Sequence, residues 1–226
     1  LAIHLNKNMG FKKNKYEIVK GAIPKKLANF IYKYLMLKRQ VAMTLFNTRY
    51  ISPFTEYFGV WNDTQVLKTY SHYADIVMET LLTEVHPIIK KVTGLKLTPN
   101  YSYARIYKKG DILHRHKDRF SCEISTTLNL GGGCWPIYLE LDKSKKRVDP
   151  KTGGYKPSKN KKIKVMLQPG DMLVYRGNDL EHWRDKLSFD DYGQVFLHYN
   201  DTATKGSKEN LYDRRPHLGL PAWFKK

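Results

Sequence analysis

The chain has 226 residues, 41% of them hydrophobic, which suits one domain, or one domain with a helical extension, around a real core, and excludes global disorder. No run approaches the ~18 apolar residues needed to span a bilayer, and the opening LAIHLNKNMG is too short an apolar stretch for a signal peptide. The net charge of +19 favours polyanions or acidic partners, or reflects a lysine-biased, solvated surface.

The first residue is not Met, so the natural N-terminus is expected further upstream. Residues 15–20 contain YEIV between lysines and read as a short strand. Pro24 suits a helix start, and Leu27, Phe30, Ile31, Tyr34 and Leu35 recur at helical spacing, predicting a helix to about Phe46. Residues 51–60, with Pro53 and Gly59, form an aromatic-rich connection whose aromatics could line a substrate groove, with packing under the helices the favoured role. Asn62, Asp63 and Thr64 offer caps for a second helical region, 65–92, closing at Gly94 and bent or split at Pro87.

From Leu97 the runs turn short and β-rich: 101–107, 123–130, 137–141, 163–167, 172–175 and 195–199. Six short strands separated by glycine turns point to an antiparallel barrel or jelly roll. Helices first and strands later fit an α+β arrangement. Between two of the strands, residues 142–162 carry much of the basic excess with Pro, Gly and few apolar side chains, and read as a mobile insertion. Cys122 and Cys134 imply no disulfide framework, which fits a reducing cytoplasm.

The chemistry concentrates in YSYARIYKKGDILHRHKD, residues 101–118. Residues two apart on an extended chain share a face, so His116 and Asp118 can offer an imidazole nitrogen and a carboxylate oxygen to one metal ion. A lone His-x-Asp is a weak signal, and its bland reading is a solvated loop. Context strengthens it: a strand and the turn Lys109-Gly110-Asp111 precede it. A second strand follows, ending in Gly131-Gly132-Gly133. The turn Gln168-Pro169-Gly170-Asp171 then feeds a strand just before His182, the best third ligand. Two histidines and a carboxylate with open positions opposite make the facial triad of non-haem Fe(II) oxygenases.

These pieces together resemble the 2-oxoglutarate- and Fe(II)-dependent dioxygenases, above all their prolyl 4-hydroxylase-like branch. The matching residues are Ala104-Arg105-Ile106-Tyr107 with Gly110, His116-x-Asp118, the glycine corner with Trp135-Pro136, Pro169-Gly170-Asp171, and His182. They come in the family's order over roughly residues 97–201. The resemblance implies a double-stranded β-helix (a jelly-roll or cupin-like barrel) with supporting N-terminal helices. As one dioxygenase domain over 1–226, it would comprise helical support at 15–94, the catalytic barrel at 95–201 and a tail at 202–226. It also implies Fe(II) on His116, Asp118 and His182, 2-oxoglutarate as cosubstrate, and ascorbate as an optional accessory. The activity implied is hydroxylation of a prolyl or similar residue in a peptide or protein.

The resemblance puts the Tyr107 hydroxyl on the cosubstrate. Thr127, facing the barrel if its strand alternates, could donate to the same carboxylate or be structural. The family places a Lys or Arg about ten residues beyond the distal His for the far carboxylate. Here that region reads Phe189-Asp190-Asp191-Tyr192-Gly193-Gln194, without a cation. Arg184, sharing the face of His182, is the first substitute and Arg105 the second, since an unpaired buried carboxylate is costly. His114 reads as a rim residue. Trp183 would wall the pocket or sit in the core, and the tail from Asn210 would fold over the barrel mouth or be a surface arm.

Three functional classes remain open. The leading one is the peptide or protein hydroxylase. The second is the same chemistry on a nucleobase or free amino acid; no aromatic-basic nucleic-acid motif is present to favour it. The third is a catalytically silent β-barrel binding module. No membrane partner is expected, and the sequence leaves the oligomeric state open.

Overall fold

The computed structural model describes residues 10–52, 55–141 and 162–226. A short helix, α1 (Gly10–Asn14), leads into strand β1 (Tyr16–Val19), the YEIV run. Pro24 is the N-cap of helix α2 (Lys25–Asn47), a place where its missing N–H is no loss. The buried face of α2 is Ala28, Ile31, Leu35 and Ala42. Leu27 and Phe30, read from spacing as part of that face, are 41% and 68% exposed. The two alanines let the helix lie close on the sheet, and that side turns inward.

The second helix is shorter than its spacing suggested. Residues 65–69 are irregular; strand β2 (Tyr70–Tyr73) follows, and only then helix α3 (Ile76–Thr93). The sheet overrides helical periodicity here, because β2 pairs along strand β3 (Leu97–Tyr107) with Tyr70 opposite Ile106 and Tyr73 opposite Tyr103. The cap of α3 is Asp75, which accepts from Met78 N at 3.1 Å. Asp63 accepts from Gln65 N and Val66 N at 2.8 and 2.9 Å, but that turn does not propagate. Helix α3 passes Pro87 without splitting and closes at Gly94, in the left-handed conformation at φ 68°.

The remaining strands are β4 (Leu113–His116), β5 (Ile124–Gly131), β6 (Ile137–Glu140), β7 (Lys162–Val165), β8 (Met172–Arg176), β9 (Glu181–Arg184) and β10 (Tyr192–Asp201). They build two antiparallel sheets: six strands in the order β1-β8-β5-β10-β3-β2, and four in the order β4-β9-β6-β7. Strands β2, β4 and β9 escaped the sequence reading; each has four residues, too few to show a period, and their sequences YSHY, LHRH and EHWR lack the β-branched residues that marked the equally short β1, β6 and β7. One apolar cluster joins the outer face of the larger sheet (Ile106, Leu128, Val195) to Leu35 of α2 and to Leu82 and Ile89 of α3. Another lies between the sheets, where Ile137 and Leu139 of β6 meet Leu173 and Tyr175 of β8.

The tail is tied down against α3 and β3. Arg215, buried, donates to Glu79 Oε1 of α3 at 2.7 Å and to the Asn100 carbonyl of β3 at 3.2 Å. Asp213 Oδ2 accepts from the Tyr73 hydroxyl (2.7 Å) and pairs with Arg119 Nη2 (3.1 Å) and Lys225 Nζ (2.7 Å). Among the described residues no helix is long and apolar enough to cross a membrane. The insertion read at 142–162 lies outside the described residues except for Lys162, the first residue of β7. Both cysteines are free.

Candidate metal centre

Strands β4 and β9 are neighbours, and their register sets His116 directly opposite His182. Directly opposed residues of an antiparallel pair point the same way, so both imidazoles face the space between the sheets. Asp118 follows β4, its backbone N–H held by the Gly177 carbonyl at 2.9 Å. Its Oδ1 stands 3.6 Å from His116 Nε2 and 3.4 Å from His182 Nε2. Candidate ligand atoms of the three residues all lie within 4.8 Å of one another, so they could hold one metal ion.

The second hydrogen bond of each ring sets its tautomer. His116 Nδ1 is 2.7 Å from the His114 carbonyl, and His182 Nδ1 is 3.0 Å from the Leu180 carbonyl. A carbonyl only accepts, so each Nδ1 carries the proton and each Nε2 keeps a lone pair for a ligand. These acceptors are two residues back on the same strand or turn, and the sequence alone did not disclose them. Burial, then the neighbouring His182, lower the pKa of His116 to about 4. Burial pushes His182 the same way, but the Asp118 carboxylate outweighs it and raises that ring. Burial would raise Asp118; His182, His198 and the Ser125 hydroxyl together hold it well below the usual carboxylate range. A ready anion beside two imidazole lone pairs suits a divalent cation.

The triad forms one wall of a cavity of about 480 Å³. Around it stand Tyr101, Tyr103 and Arg105 of β3, Tyr175 of β8, Phe196 and His198 of β10, and the loop 62–65. That loop, expected to cap a helix, is instead tied to β3: Asp63 Oδ2 accepts from Tyr103 Oη (2.7 Å), Arg105 Nε (2.8 Å) and Arg105 Nη2 (2.5 Å). Gln65 Oε1 takes Arg105 Nη2 at 3.1 Å, and the Tyr107 hydroxyl takes Nη1 at 2.8 Å.

Arg184, Thr127 and Tyr107 are not on the cavity wall; they are buried behind it. Arg184 lies between the rings of Trp135 and Tyr192, its guanidinium 4.9 and 5.3 Å from their centres. It donates to the Trp135 carbonyl and, at 3.0 Å, to Gln194 Oε1. Among the described residues no carboxylate pairs with it. Arg184 Nε and, beside it, the Tyr192 hydroxyl and Gln194 Nε2 are buried with no hydrogen-bond partner, as is Thr127 Oγ1 on β5. Thr127 shares the inner face with its register partners Phe196 and Leu173, as strand alternation required.

Two other expectations change. Trp183 neither walls the cavity nor enters the core: alternation turns it to the opposite face from His182, where it stacks on Tyr138 at 5.5 Å under the Arg115 guanidinium. His114 is exposed and contributes its carbonyl rather than its ring. The sequence reading missed Asp63, Ser125, Tyr175 and His198. Alternation could have flagged Ser125, two residues before Thr127, but the others needed the strand order.

No protein-family model and no curated protein matches the sequence. Solved structures do share its fold. A prolyl-4-hydroxylase from Pseudomonas putida is 13% identical with a TM-score of 0.51, over 83% of this chain and 94% of that one. The α-ketoglutarate-dependent epimerase SnoN of nogalamycin biosynthesis is 14% identical with a TM-score of 0.59, over 93% and 89%. HygX from Streptomyces hygroscopicus, solved with nickel and 2-oxoglutarate bound, is 12% identical with a TM-score of 0.54, over 85% of each chain.

Proposed function

We propose that the chain is an Fe(II)- and 2-oxoglutarate-dependent dioxygenase that hydroxylates a prolyl or similar residue in a peptide or protein. Its two sheets would form a double-stranded β-helix serving, over 1–226, as one catalytic domain in a reducing cytoplasm. The observation that carries the reading is the convergence of His116 Nε2, Asp118 Oδ1 and His182 Nε2 on one point of the cavity wall, with each ring's other nitrogen anchored to a carbonyl. The solved structure with nickel and 2-oxoglutarate has the same fold, which supports the choice of cofactors.

When bound, iron and 2-oxoglutarate supply the oxidising chemistry, with 2-oxoglutarate converted to succinate and carbon dioxide. The residues present fit that pair. His116, Asp118 and His182 would hold the metal and leave positions open opposite them. For the far carboxylate, Arg184 is favoured over Arg105. The guanidinium of Arg105 already has Asp63 as counter-charge, with Gln65 and Tyr107 taking further N–H groups. Arg184 carries a buried charge with no carboxylate among the described residues, the unpartnered donors of Tyr192 and Gln194 lie beside it, and Thr127 Oγ1 is an unpartnered donor on the inner face of β5. A buried unpaired cation is costly, and an incoming carboxylate relieves that cost while satisfying the donors. Tyr107, whose oxygen accepts from Arg105, keeps its own proton to donate to the cosubstrate. On the substrate side, Tyr103 and Phe196 offer apolar walls to a pyrrolidine ring, and Asn62, Thr64 and Gln65 offer partners to peptide amides. The fold of a bacterial prolyl-4-hydroxylase supports that substrate class.

The test is succinate formation from 2-oxoglutarate with Fe(II), ascorbate and air. Wild type should form succinate and His182→Ala should not. Charge-assisted hydrogen bonds are worth about 1.5–3 kcal/mol, so Arg184→Ala should need roughly 10- to 100-fold more 2-oxoglutarate. No succinate from iron-loaded wild type would sink the reading.

A further inference from the structure

We infer that Ser125, backed by His198 and packed against Gly177, restricts Asp118 to single-oxygen ligation and so keeps a coordination position open; this rests on the metal reading above. The two oxygens of Asp118 have separate duties. Oδ1 faces both histidine Nε2 atoms, at 3.6 and 3.4 Å. Oδ2 turns away and accepts from Ser125 Oγ at 2.6 Å.

The direction of this bond follows from the donors available. An ionised carboxylate only accepts, so the single hydroxyl proton of Ser125 points at Asp118. The Cys122 carbonyl, 2.9 Å from Ser125 Oγ, cannot share that proton fully. His198 Nδ1, 3.1 Å from the same oxygen, is then the donor to it. His198 is buried and its ring lies 4.6 Å from that of Tyr101, which fixes its plane. The result is a directed relay, His198 to Ser125 to Asp118, ending on the oxygen that does not face the histidines.

The other side of Asp118 is equally constrained. A Cβ at Gly177 would overlap Asp118 Oδ2 and come within 2.6 Å of both Ser125 Oγ and the Cys122 carbonyl. Gly177 also accepts the Asp118 backbone N–H at 2.9 Å. Backbone, hydroxyl and missing side chain together leave the carboxylate one orientation. Freed from Ser125, Oδ2 could rotate onto the metal and occupy a position that a single-oxygen ligand leaves open. Ser125, His198 and Gly177 are positioning residues, since they act through Asp118.

The test uses Mn(II) alone as the probe, with water-proton relaxation reporting the waters on the bound ion. In Ser125→Ala, one Mn(II) should still bind per chain. Its relaxivity should fall by about a third, as Oδ2 displaces one of the three waters a facial triad leaves room for. Ser125→Thr, which keeps the hydroxyl, should restore the wild-type value. Gly177→Ala, which crowds Oδ2 toward the ion, should show the same fall by a different perturbation. Wild-type relaxivity in fully loaded Ser125→Ala and Gly177→Ala would overturn the inference while leaving the metal centre intact. A wild-type chain that binds no Mn(II), or binds it as well with His182→Ala, would overturn the metal reading and this inference with it.

Discussion

Arg184 is the residue whose environment asks most for a ligand. It is fully buried, flanked by two aromatic faces, and has neutral partners only among the described residues. A buried charge with no counter-ion is costly, and removing it offsets the hydrogen bonds lost to the Trp135 carbonyl and Gln194 Oε1. Arg184→Met should therefore unfold at the wild-type temperature or above it. Added 2-oxoglutarate with Mn(II) should raise the melting temperature of wild type, by about 2.7 kcal/mol of stability at one hundred times the dissociation constant. The same addition should do much less for Arg184→Met. Thermal unfolding with and without ligand checks this, and an equal ligand shift in both would return the role to Arg105. The pairs His116 with Asp118 and His182 with Arg184 were legible because each is a pair of residues two apart along the chain. Ser125 and His198 were not, since their meeting depends on β5 lying beside β10, which no local pattern encodes.

Helix α2 shows how an element can be recognised from sequence while its orientation is not. Its existence and its start at Pro24 follow from local rules, yet Leu35 is buried and Phe30 is 68% exposed. Leu35→Ala should cost about 2–5 kcal/mol through the cavity it leaves. Phe30→Ser should stay within about 0.5 kcal/mol, as surface changes do. Denaturant midpoints of the two variants check this; similar losses would mean that the helix buries the other side. Region 65–92 failed for the complementary reason. Its helical periodicity is genuine from Ile76 onward, but Tyr70–Tyr73 gains more from the edge of β3 than from another turn of helix. A four-residue strand has no periodicity of its own with which to announce that preference.

At the scale of the whole molecule, buried carboxylates tie distant segments together. Asp63 joins loop 62–65 to β3, Asp75 joins α3 to Lys38 of α2, and Asp213 joins the tail to Tyr73 and Arg119. Burial works to raise each of them. Arg105 at Asp63, His72 and Lys38 at Asp75, and Lys225 and Tyr73 at Asp213 outweigh it, and all three sit below the ordinary value. A carboxyl whose folded pKa is depressed contributes stability above its unfolded value and loses it as pH falls through the folded one. Stability should therefore be fully present above pH ~4, the ordinary aspartate value, and decline below it. Asp213→Asn should lower stability at neutral pH and flatten the decline on the acid side. Urea midpoints against pH check this, and an unchanged slope would show that the tail is held by its apolar contacts and Arg215 alone.

By itself the sequence determined what alternation and turn chemistry can carry: a helix from Pro24, a stop at Gly94, short strands after Leu97, and His116 with Asp118 on one face. It also placed His182 and Arg184 together, because two residues apart on a strand is a local relation. Only the tertiary structure decided which strands are neighbours. That choice set His116 opposite His182, brought Asp63 from a supposed helix cap onto Arg105, and left Arg184 with no carboxylate partner among the described residues. Strand order and register are settled by burying both sheets and the helices at once, a sum over residues far apart in the chain that no window of sequence contains.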